Sequence, residues 1–211
     1  MNISKLQLVH PIFANCYLLV DSGSGEAAVV DPGWYDDVIK DALAQSGAKL
    51  KYILLTHGHF DHIMGVYGLQ KATGAKVVIH EADKDCLIDP EKSLCSGNFP
   101  EEQHPVQADI TVSDGDVLTL GDEEIRVIAT PGHTKGGVCY VIEGERTIVT
   151  GDTLFCMTVG RTDFEGGSVE ELSKSLIKLL SLEGDYRILP GHNRETTLAR
   201  ERTHNRFIRR M

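Results

Sequence analysis

Three histidines and one aspartate lie within the six residues His57–His62, in a segment that reads THGHFDH from Thr56. Imidazole and carboxylate groups are donors that zinc, iron and manganese accept in proteins. The segment follows the apolar run Tyr52–Leu55, which predicts a buried strand that ends where the histidines begin. Because one such segment cannot complete a metal site by itself, further ligands must come from elsewhere in the chain.

Three further junctions repeat this form, an apolar strand, a tight turn and then a residue that can bind a metal. They place His133, Asp152 and His192 at strand ends, and Val29-Val30-Asp31 looks similar. Ligand sites in open sheets gather beyond the carboxyl ends of the strands, so we expect these residues to converge at one edge. The predicted ligands are His57, His59 and His133 for one metal and Asp61, His62 and His192 for a second, with Asp152 shared between them.

This ligand set predicts hydrolysis. Two cations about 3.5 Å apart can hold a bridging hydroxide and lower its pKa toward neutral. We hypothesise that this hydroxide attacks an ester-like carbonyl while one metal polarises the carbonyl oxygen and the other stabilises the leaving thiolate or alkoxide. Asp152 would bridge the ions and Asp61 would orient the nucleophile, which makes both of them candidate catalytic residues. No serine or cysteine nucleophile is needed.

Composition excludes several other classes of protein. A chain of 211 residues fits one domain, and a net charge of −10 argues against a sequence-independent nucleic-acid binder. The chain starts without an apolar signal region and has no long apolar span, which predicts neither secretion nor membrane insertion. Five cysteines without C-x-x-C spacing indicate reduced thiols and a cytoplasmic protein.

The elements that must position these residues follow the same order in both halves of the chain, strands first and a helix later. That order suggests two similar units packed face to face. The loop-rich segment 88–108 is either a mobile flap over the site or a solvated surface loop. The predicted strands are Ile3–Val9, Cys16–Val20, Ala27–Val30, Tyr52–Leu55, Lys76–Ile79, Val117–Leu120, Glu124–Ala129, Val138–Ile142, Thr147–Thr150 and Tyr186–Leu189. The predicted helices are Tyr35–Ser46, a helix from the histidine segment to Thr73, and a helix from Ser168 through Leu180.

The motifs THGHFDH, PGHT (Pro131–Thr134), TGDTLF (Thr150–Phe155) and PGH (Pro190–His192) resemble those of the metallo-β-lactamase superfamily. Within it the chain is most similar to glyoxalase II-like hydrolases, whose second-site histidine directly follows the aspartate. Class B β-lactamases tend instead to carry a cysteine ligand. The resemblance implies an α/β fold, a four-layer αβ/βα sandwich with the metal site at one edge of two packed sheets. It also implies a structural role for Asp31, or one behind the ligands.

Only residues 193–211 follow the last predicted ligand. In this respect the chain resembles the short bacterial form of the family, which lacks the C-terminal helical domain that supplies glutathione contacts in larger members. We therefore expect a single domain over residues 1–211. In glutathione-using relatives a basic residue of a similar loop binds the carboxylate of the glycine end. Here the loop reads GRTDF, so Arg161 is the candidate substrate-binding residue. The alternative is a surface turn with a solvated arginine, and the Arg-rich tail after Arg200 is read as a solvated helix end.

The leading functional hypothesis is a metal-dependent hydrolase that cleaves a thioester such as S-lactoylglutathione, or a related small ester. Two alternatives stay open: a single-iron persulfide dioxygenase, which shares the H-x-H-x-D-H frame and a similar GRTDF loop, and a lactonase. The expected cofactors are two divalent metal ions, zinc first, with iron or manganese as alternatives. The expected partner is the small-molecule substrate, with no nucleic acid and no membrane, and the oligomeric state is open.

Overall fold

The computed structural model of this protein describes residues 1–8 and 14–210, so Val9, the predicted end of the first strand, lies outside the described residues. Within those ranges, one sheet has six strands that neighbour each other in chain order. They are β1 (Asn2–Leu6), β2 (Cys16–Asp21), β3 (Glu26–Val30), β4 (Lys49–Leu54), β5 (Lys76–His80) and β6 (Ile110–Val112). β1 to β3 pair antiparallel, and β3 to β6 run parallel.

The second sheet of the described chain also has six strands. They are β7 (Val117–Leu120), β8 (Glu123–Ala129), β9 (Val138–Ile142), β10 (Thr147–Gly151), β13 (Arg187–Pro190) and β14 (Thr196–Thr197), and a separate hairpin joins β11 (Leu154–Phe155) to β12 (Thr158–Val159). Their spatial order is β14-β13-β10-β9-β8-β7. The pairs are antiparallel except that β10 and β13 are parallel, so the carboxyl ends of β8, β10 and β13 lie at the same edge.

The helices cover the outer faces of the sheets and begin and end at residues that the sequence marks. They are α1 (Asp37–Ser46), α2 (Phe60–Ile63), α3 (Val66–Thr73), α4 (Val169–Leu180) and α5 (Leu198–His204), with short 3₁₀ helices at Glu81–Leu87 and Ile208–Arg210. The Ser168 side chain accepts the Glu171 N–H at 3.3 Å and caps α4. Gly47 ends α1 in the left-handed conformation, at a φ of 64°.

Three apolar layers hold these elements together. Along β3 the side chains alternate, so Ala28 and Val30 face the core between the two sheets while Ala27 and Val29 face the core under α1 and α3. The third core lies between the second sheet and the helices α4 and α5. This arrangement confirms the predicted α/β fold, a four-layer αβ/βα sandwich.

One predicted helix differs from the structure, and the structure also shows where the loop-rich segment lies. The single helix expected after the histidines is split into α2 and α3, because the Gly65 N–H donates to the Pro32 carbonyl at 2.8 Å. The Asp61 carbonyl, its expected helical partner, instead accepts the Ala14 N–H at 3.0 Å. The segment 88–108 borders the site and is fastened to α2 by the Phe60 N–H, which donates to the Ser93 carbonyl at 2.8 Å. Its mobility stays a prediction.

Among the described residues, no helix combines the length and the apolar character that a membrane crossing requires. The longest helix, α4, is instead amphipathic. Its inner face reaches the third core through Leu172, Leu176 and Leu179, whereas Ile177 on the outer face is 58% exposed.

The packing of α4 predicts that shortening two neighbouring side chains will lower the free energy of unfolding by different amounts. Leu176→Ala removes a side chain that is 0% exposed, so it should lower the free energy of unfolding by about 2–5 kcal/mol. Ile177→Ala is the matched control and should change it by no more than about 0.5 kcal/mol. Chemical denaturation of both variants measures the difference, and equal losses would contradict this packing.

Candidate metal centre

The metal-binding candidates are delivered by strands that end at one edge of the two sheets. His57 follows β4, His133 follows β8, Asp152 follows β10 and His192 follows β13. The two sheets are joined at this edge, because the Val138 N–H donates to the Thr56 carbonyl at 2.8 Å. All seven candidate side chains therefore come from strand ends or from α2, as the junction pattern predicts.

The first group is His57, His59 and His133, all three buried. His57 Nε2 lies 3.1 Å from His59 Nδ1, and His59 Nδ1 lies 2.9 Å from His133 Nε2. In a tetrahedral zinc site with zinc–nitrogen distances of about 2.0–2.1 Å, donor atoms lie about 3.3 Å apart. The three nitrogens thus have nearly the separation that one tetrahedral ion requires.

Hydrogen bonds behind these rings fix which nitrogen carries the proton. His133 Nδ1 lies 2.8 Å from the Arg161 carbonyl oxygen, which can only accept, so Nδ1 is protonated. His57 Nδ1 lies 3.2 Å from Thr56 Oγ1, whose own proton goes to Asp31 Oδ2 at 2.7 Å. Both rings therefore point an unprotonated Nε2, the atom that binds metals, at His59.

The second group is Asp61, His62 and His192, with Asp152 between the two groups. His192 Nε2 lies 3.1 Å from Asp61 Oδ2. Asp152 Oδ1 lies 3.4 Å from His62 Nε2, and its Oδ2 lies 3.5 Å from His133 Nε2 and 3.6 Å from His192 Nε2. Asp152 Oδ2 thus lies near a histidine of each group, which is the arrangement expected of a shared ligand.

Two buried atoms of this cluster have no hydrogen-bond partner, His62 Nε2 and Asp152 Oδ1. Their separation of 3.4 Å lacks the geometry of a hydrogen bond. His62 Nδ1 already donates to Asp31 Oδ2 at 2.9 Å, so in the neutral ring Nε2 presents a lone pair to the Asp152 oxygen. Facing lone pairs in a buried site are costly unless a cation lies between them. The donor set therefore fits divalent metal ions.

The electrostatics of the cluster agree with this fit. Burial lowers the pKa of His57 well below its ordinary value and that of His59 to about 3, which leaves both rings neutral. Burial would raise the pKa of Asp152, but His62 and its other neighbours lower it to about 2. Neutral imidazole and ionised carboxylate are the protonation states in which these groups bind metals.

His62 shows the opposite shift. Burial acts to lower its pKa, but Asp31, Asp61 and Asp152 raise it well above the ordinary value for a histidine. The three carboxylates make the surroundings of His62 a place where positive charge is strongly favoured. A metal ion bound to Nε2 would supply that charge in place of a proton.

Asp31 orients two of the candidate ligands through hydrogen bonds. It is 1% exposed, and its φ of 50° is unusual for a residue other than glycine. Its carboxylate accepts the Thr56 N–H at 2.8 Å, the Thr56 hydroxyl at 2.7 Å and the His62 Nδ1–H at 2.9 Å. Asp31 thus orients His62 directly and His57 through Thr56, a role behind the metal ligands like the one that the resemblance implies.

A cavity of about 570 Å³ opens over the cluster. Its apolar wall includes Phe155, Val159 and Phe164, and its floor includes Asp61, Asp152 and His192. A volume of this size suits a small-molecule ligand with a few fixed polar contacts.

Arg161 lies at this cavity, but its guanidinium is engaged. It donates from two nitrogens to the Asp163 carboxylate, at 2.7 and 2.6 Å, and lies 3.9 Å from the centre of the Phe164 ring. The side chains of Arg161 and Asp163 are both more than half exposed. A substrate carboxylate that binds Arg161 would therefore compete with Asp163.

Sequence reasoning missed Asp83, a buried carboxylate of the 3₁₀ helix after β5. It accepts the Gly58 N–H at 3.1 Å and the Gly136 N–H at 2.7 Å, and so joins the loop of His57 to that of His133. His80, at the end of β5, caps this 3₁₀ helix, because its Nδ1 accepts the Ala82 N–H at 3.1 Å. The position of Asp83, three residues after a strand end, was the only signal available.

The tail is solvated at Arg200, Arg206 and Arg209, as expected, but other residues of the tail pack against the rest of the protein. Glu201 is buried and accepts the Met157 N–H at 2.9 Å, and Asn205 Nδ2 donates to the Thr158 carbonyl at 3.2 Å. Arg202 donates to the Leu180 carbonyl at 2.9 Å. The tail thereby anchors the β11–β12 hairpin, whose residues form one wall of the cavity.

A sandwich of two sheets with histidine and aspartate donors at one edge defines a metal-dependent hydrolase. Residues 10–192 match the sequence model of the Metallo-beta-lactamase superfamily, and the chain belongs to that superfamily.

Comparison with individual proteins agrees. The chain is 32% identical to the probable metallo-hydrolase YqgX of Bacillus subtilis (strain 168), over 95% of this chain and 94% of that protein. It resembles the crystal structure of BLEG-1 B3 metallo-beta-lactamase with a TM-score of 0.91 and 32% identity, covering 98% and 99% of the two chains. It also resembles TTHA1623 in a di-iron-bound form, with a TM-score of 0.84 and 29% identity over 96% and 98%.

The contacts of Asp31 predict that it contributes to metal affinity. Asp31→Asn replaces an acceptor oxygen with a donor where Thr56 and His62 both donate, so metal affinity should fall by about 10- to 100-fold. Competition with a chromophoric chelator measures this affinity. Asp37→Asn makes the same chemical change on the exposed side of α1 and should leave the affinity unaltered. Equal affinities in the two variants would contradict the role of Asp31.

Proposed function

We propose that this protein is a glyoxalase II-like thioester hydrolase that cleaves S-lactoylglutathione, or a related small ester, with two bound divalent metal ions, zinc first. The observation that carries the proposal is the placement of Asp152 between two groups of donors on the floor of one cavity. His57, His59 and His133 would hold one ion and Asp61, His62 and His192 the other, with Asp152 shared.

The reaction asks for a nucleophile, a site for the carbonyl and a proton acceptor. Two divalent ions supply Lewis acidity and lower the pKa of a bound water molecule. Asp61 lies at the cavity floor, where its carboxylate can orient the attacking water and accept its proton at Oδ1, since Oδ2 faces His192 Nε2. Asp152, whose side chain is 12% exposed, holds the two groups of donors in a fixed relation, and Phe155, Val159 and Phe164 limit the access of bulk water.

Arg161 is the proposed contact for the thiol carrier. Its planar guanidinium suits bidentate binding of a carboxylate, as its pairing with Asp163 illustrates. Because Phe164 lies between Arg161 and His59, with ring centres of Phe164 and His59 5.5 Å apart, a carrier held by Arg161 would have its thioester near the ligand cluster. The glycine-end carboxylate of glutathione matches this contact.

The relatives support hydrolysis and a two-metal site, through the probable metallo-hydrolase YqgX and the di-iron-bound form of TTHA1623. The similarity to BLEG-1, a B3 metallo-beta-lactamase, favours β-lactam hydrolysis as a second candidate function. Among the described residues, the groups of candidate donors include no cysteine, and the five cysteines are free thiols. Both reactions attack a carbonyl carbon, and they differ in the shape of the substrate.

The proposal predicts turnover of S-lactoylglutathione by protein whose metal content is counted on the same sample. We expect kcat above about 1 s⁻¹ at two metal ions per chain. Loss of the thioester absorbance measures the rate, and a β-lactam assayed in parallel separates the second candidate. No thioester turnover at two metals per chain would overturn the proposal. One bound iron, with oxygen consumed on glutathione persulfide, would replace it with the dioxygenase alternative.

Asp61→Asn is the control for this assay. It keeps the size of the side chain but weakens one donor group and removes the proton acceptor, so turnover should fall by about a hundredfold or more. Metal content should fall toward one ion per chain in the same variant. Wild-type kinetics at full metal content would remove Asp61 from the mechanism.

The pairing of Arg161 with Asp163 predicts opposite effects at two neighbouring residues. Arg161→Ala should raise KM for S-lactoylglutathione by about tenfold, since it removes a charged contact to the carrier. Asp163→Asn frees the guanidinium and should lower KM, by about two- to fivefold. Neither variant should change the hydrolysis of an uncharged ester such as 4-nitrophenyl acetate. Parallel changes on both substrates would show that Arg161 acts through the fold instead.

A further inference from the structure

A second cavity, of about 270 Å³, adjoins the first. Of the residues that the structure describes, His59 and Leu94 line both cavities. His59 belongs to the proposed metal site and cannot move without disturbing it. Leu94 is therefore the side chain that decides whether a substrate in the first cavity can extend into the second.

Leu94 is held in an unfavourable backbone conformation. Its φ of 63° lies in the left-handed region, which costs a residue with a Cβ atom about 1 kcal/mol or more. The surrounding bonds enforce it: the Leu94 N–H donates to the Glu91 carbonyl at 3.1 Å, and Asn98 Nδ2 donates to the Leu94 carbonyl at 2.9 Å. Such strain is found where a side chain must be placed for function.

The position of Leu94 is also fixed relative to the metal centre. Ser93, its neighbour, is 0% exposed, and its carbonyl accepts the N–H of Phe60, the residue after His59. Ser93 Oγ hydrogen-bonds to Gln103 Oε1, and Gln103 Nε2 donates to the Cys86 carbonyl at 2.7 Å. The backbone of Leu94 is thus fixed beside His59, and its side chain forms a partition between the two cavities.

The second cavity has its own chemistry. Thr134 lines it and is 5% exposed, and its hydroxyl has no hydrogen-bond partner. Lys92, one of the cations there, is paired with Asp85 at 2.7 Å. The remaining charged groups include Glu91, Glu165 and Lys135, so the lining carries more acidic than basic groups. An uncharged hydroxyl or amide group suits this cavity better than an anion does.

We propose that Leu94 is a specificity-determining residue that closes the second cavity to the acyl group and so restricts this protein to thioesters of short acyl groups. With Leu94 removed, the second cavity accepts longer acyl chains, and Thr134 binds an uncharged polar group at their far end. This inference rests on the proposed function, because it assigns the substrate class of the same site.

The experiment compares metal-loaded wild type with Leu94→Gly on glutathione thioesters that range from acetyl to octanoyl. Wild type should lose kcat/KM as the acyl chain lengthens. Leu94→Gly should raise the ratio of octanoyl to acetyl kcat/KM by about tenfold or more. Ile88→Ala, which shortens an exposed side chain of the same segment that lines neither of these cavities, is the matched control and should keep the wild-type dependence on chain length. An unchanged ratio in Leu94→Gly overturns the inference.

Two further variants separate the role of the side chain from that of the backbone. Glycine adopts the left-handed conformation readily, so Leu94→Gly should keep the thermal midpoint of wild type within a few degrees. Leu94→Asn also tolerates this conformation but keeps a branched side chain of similar length, so it should retain the short-acyl preference. A long-acyl preference in Leu94→Asn would show that backbone strain, and not the partition, sets specificity.

The role of Thr134 is tested in the opened protein. Leu94→Gly should prefer an 8-hydroxyoctanoyl thioester to octanoyl, and adding Thr134→Val should abolish that preference while leaving octanoyl turnover in place. A preference that survives in the double variant overturns the assignment of Thr134. If wild type hydrolyses no thioester at all, the proposed function fails and this inference fails with it. If wild type hydrolyses them all equally, only the inference fails.

Discussion

The buried carboxylate of Asp31 is the interaction on which the site depends. A carboxylate at this depth is tolerated only when hydrogen bonds replace its lost hydration. Here Thr56 and His62 donate all three of those bonds, so the ends of β3 and β4 and the helix α2 are held in one arrangement. The same bonds set the tautomers of two histidines. Folding of this edge and preparation of the site for a cation are thus a single event.

The two sheets make that arrangement rigid. The core between them is continuous and apolar from Tyr17 to Leu189, and it fixes the strands whose ends carry the ligands. Loops alone could not hold seven donors at these separations, because each loop would lose the entropy of its own ordering. By contrast, the cavity walls come from connecting segments, the hairpin 154–159 and the segments 88–108 and 160–166. The sheets therefore fix the candidate ligands at the floor of the cavity, and the connecting segments shape its walls.

How much of this could be predicted from sequence depends on whether the signal is local. The junctions at His57, His133, Asp152 and His192 follow from strand patterns and turn residues, and the structure brings their side chains together. The four-layer arrangement was instead implied by the resemblance to a family, because strand patterns indicate only two similar units packed face to face. Asp83 and Glu201 were missed, because an acidic residue in a polar stretch looks solvated until packing buries it. Leu94 gave no signal either, since a left-handed φ at leucine depends on distant hydrogen bonds. The break between α2 and α3 likewise depends on a hydrogen bond from Gly65 to the carbonyl of Pro32, a residue that is distant in sequence.

The bonds from Glu201 and Asn205 to the hairpin have a consequence for truncated forms of the chain. Residues 1–192 contain every candidate donor, yet the wall that includes Thr158 is fastened by a helix that comes later in the sequence. A chain cut before α5 would therefore keep all of its donors and lose the bonds that fasten this wall of the cavity.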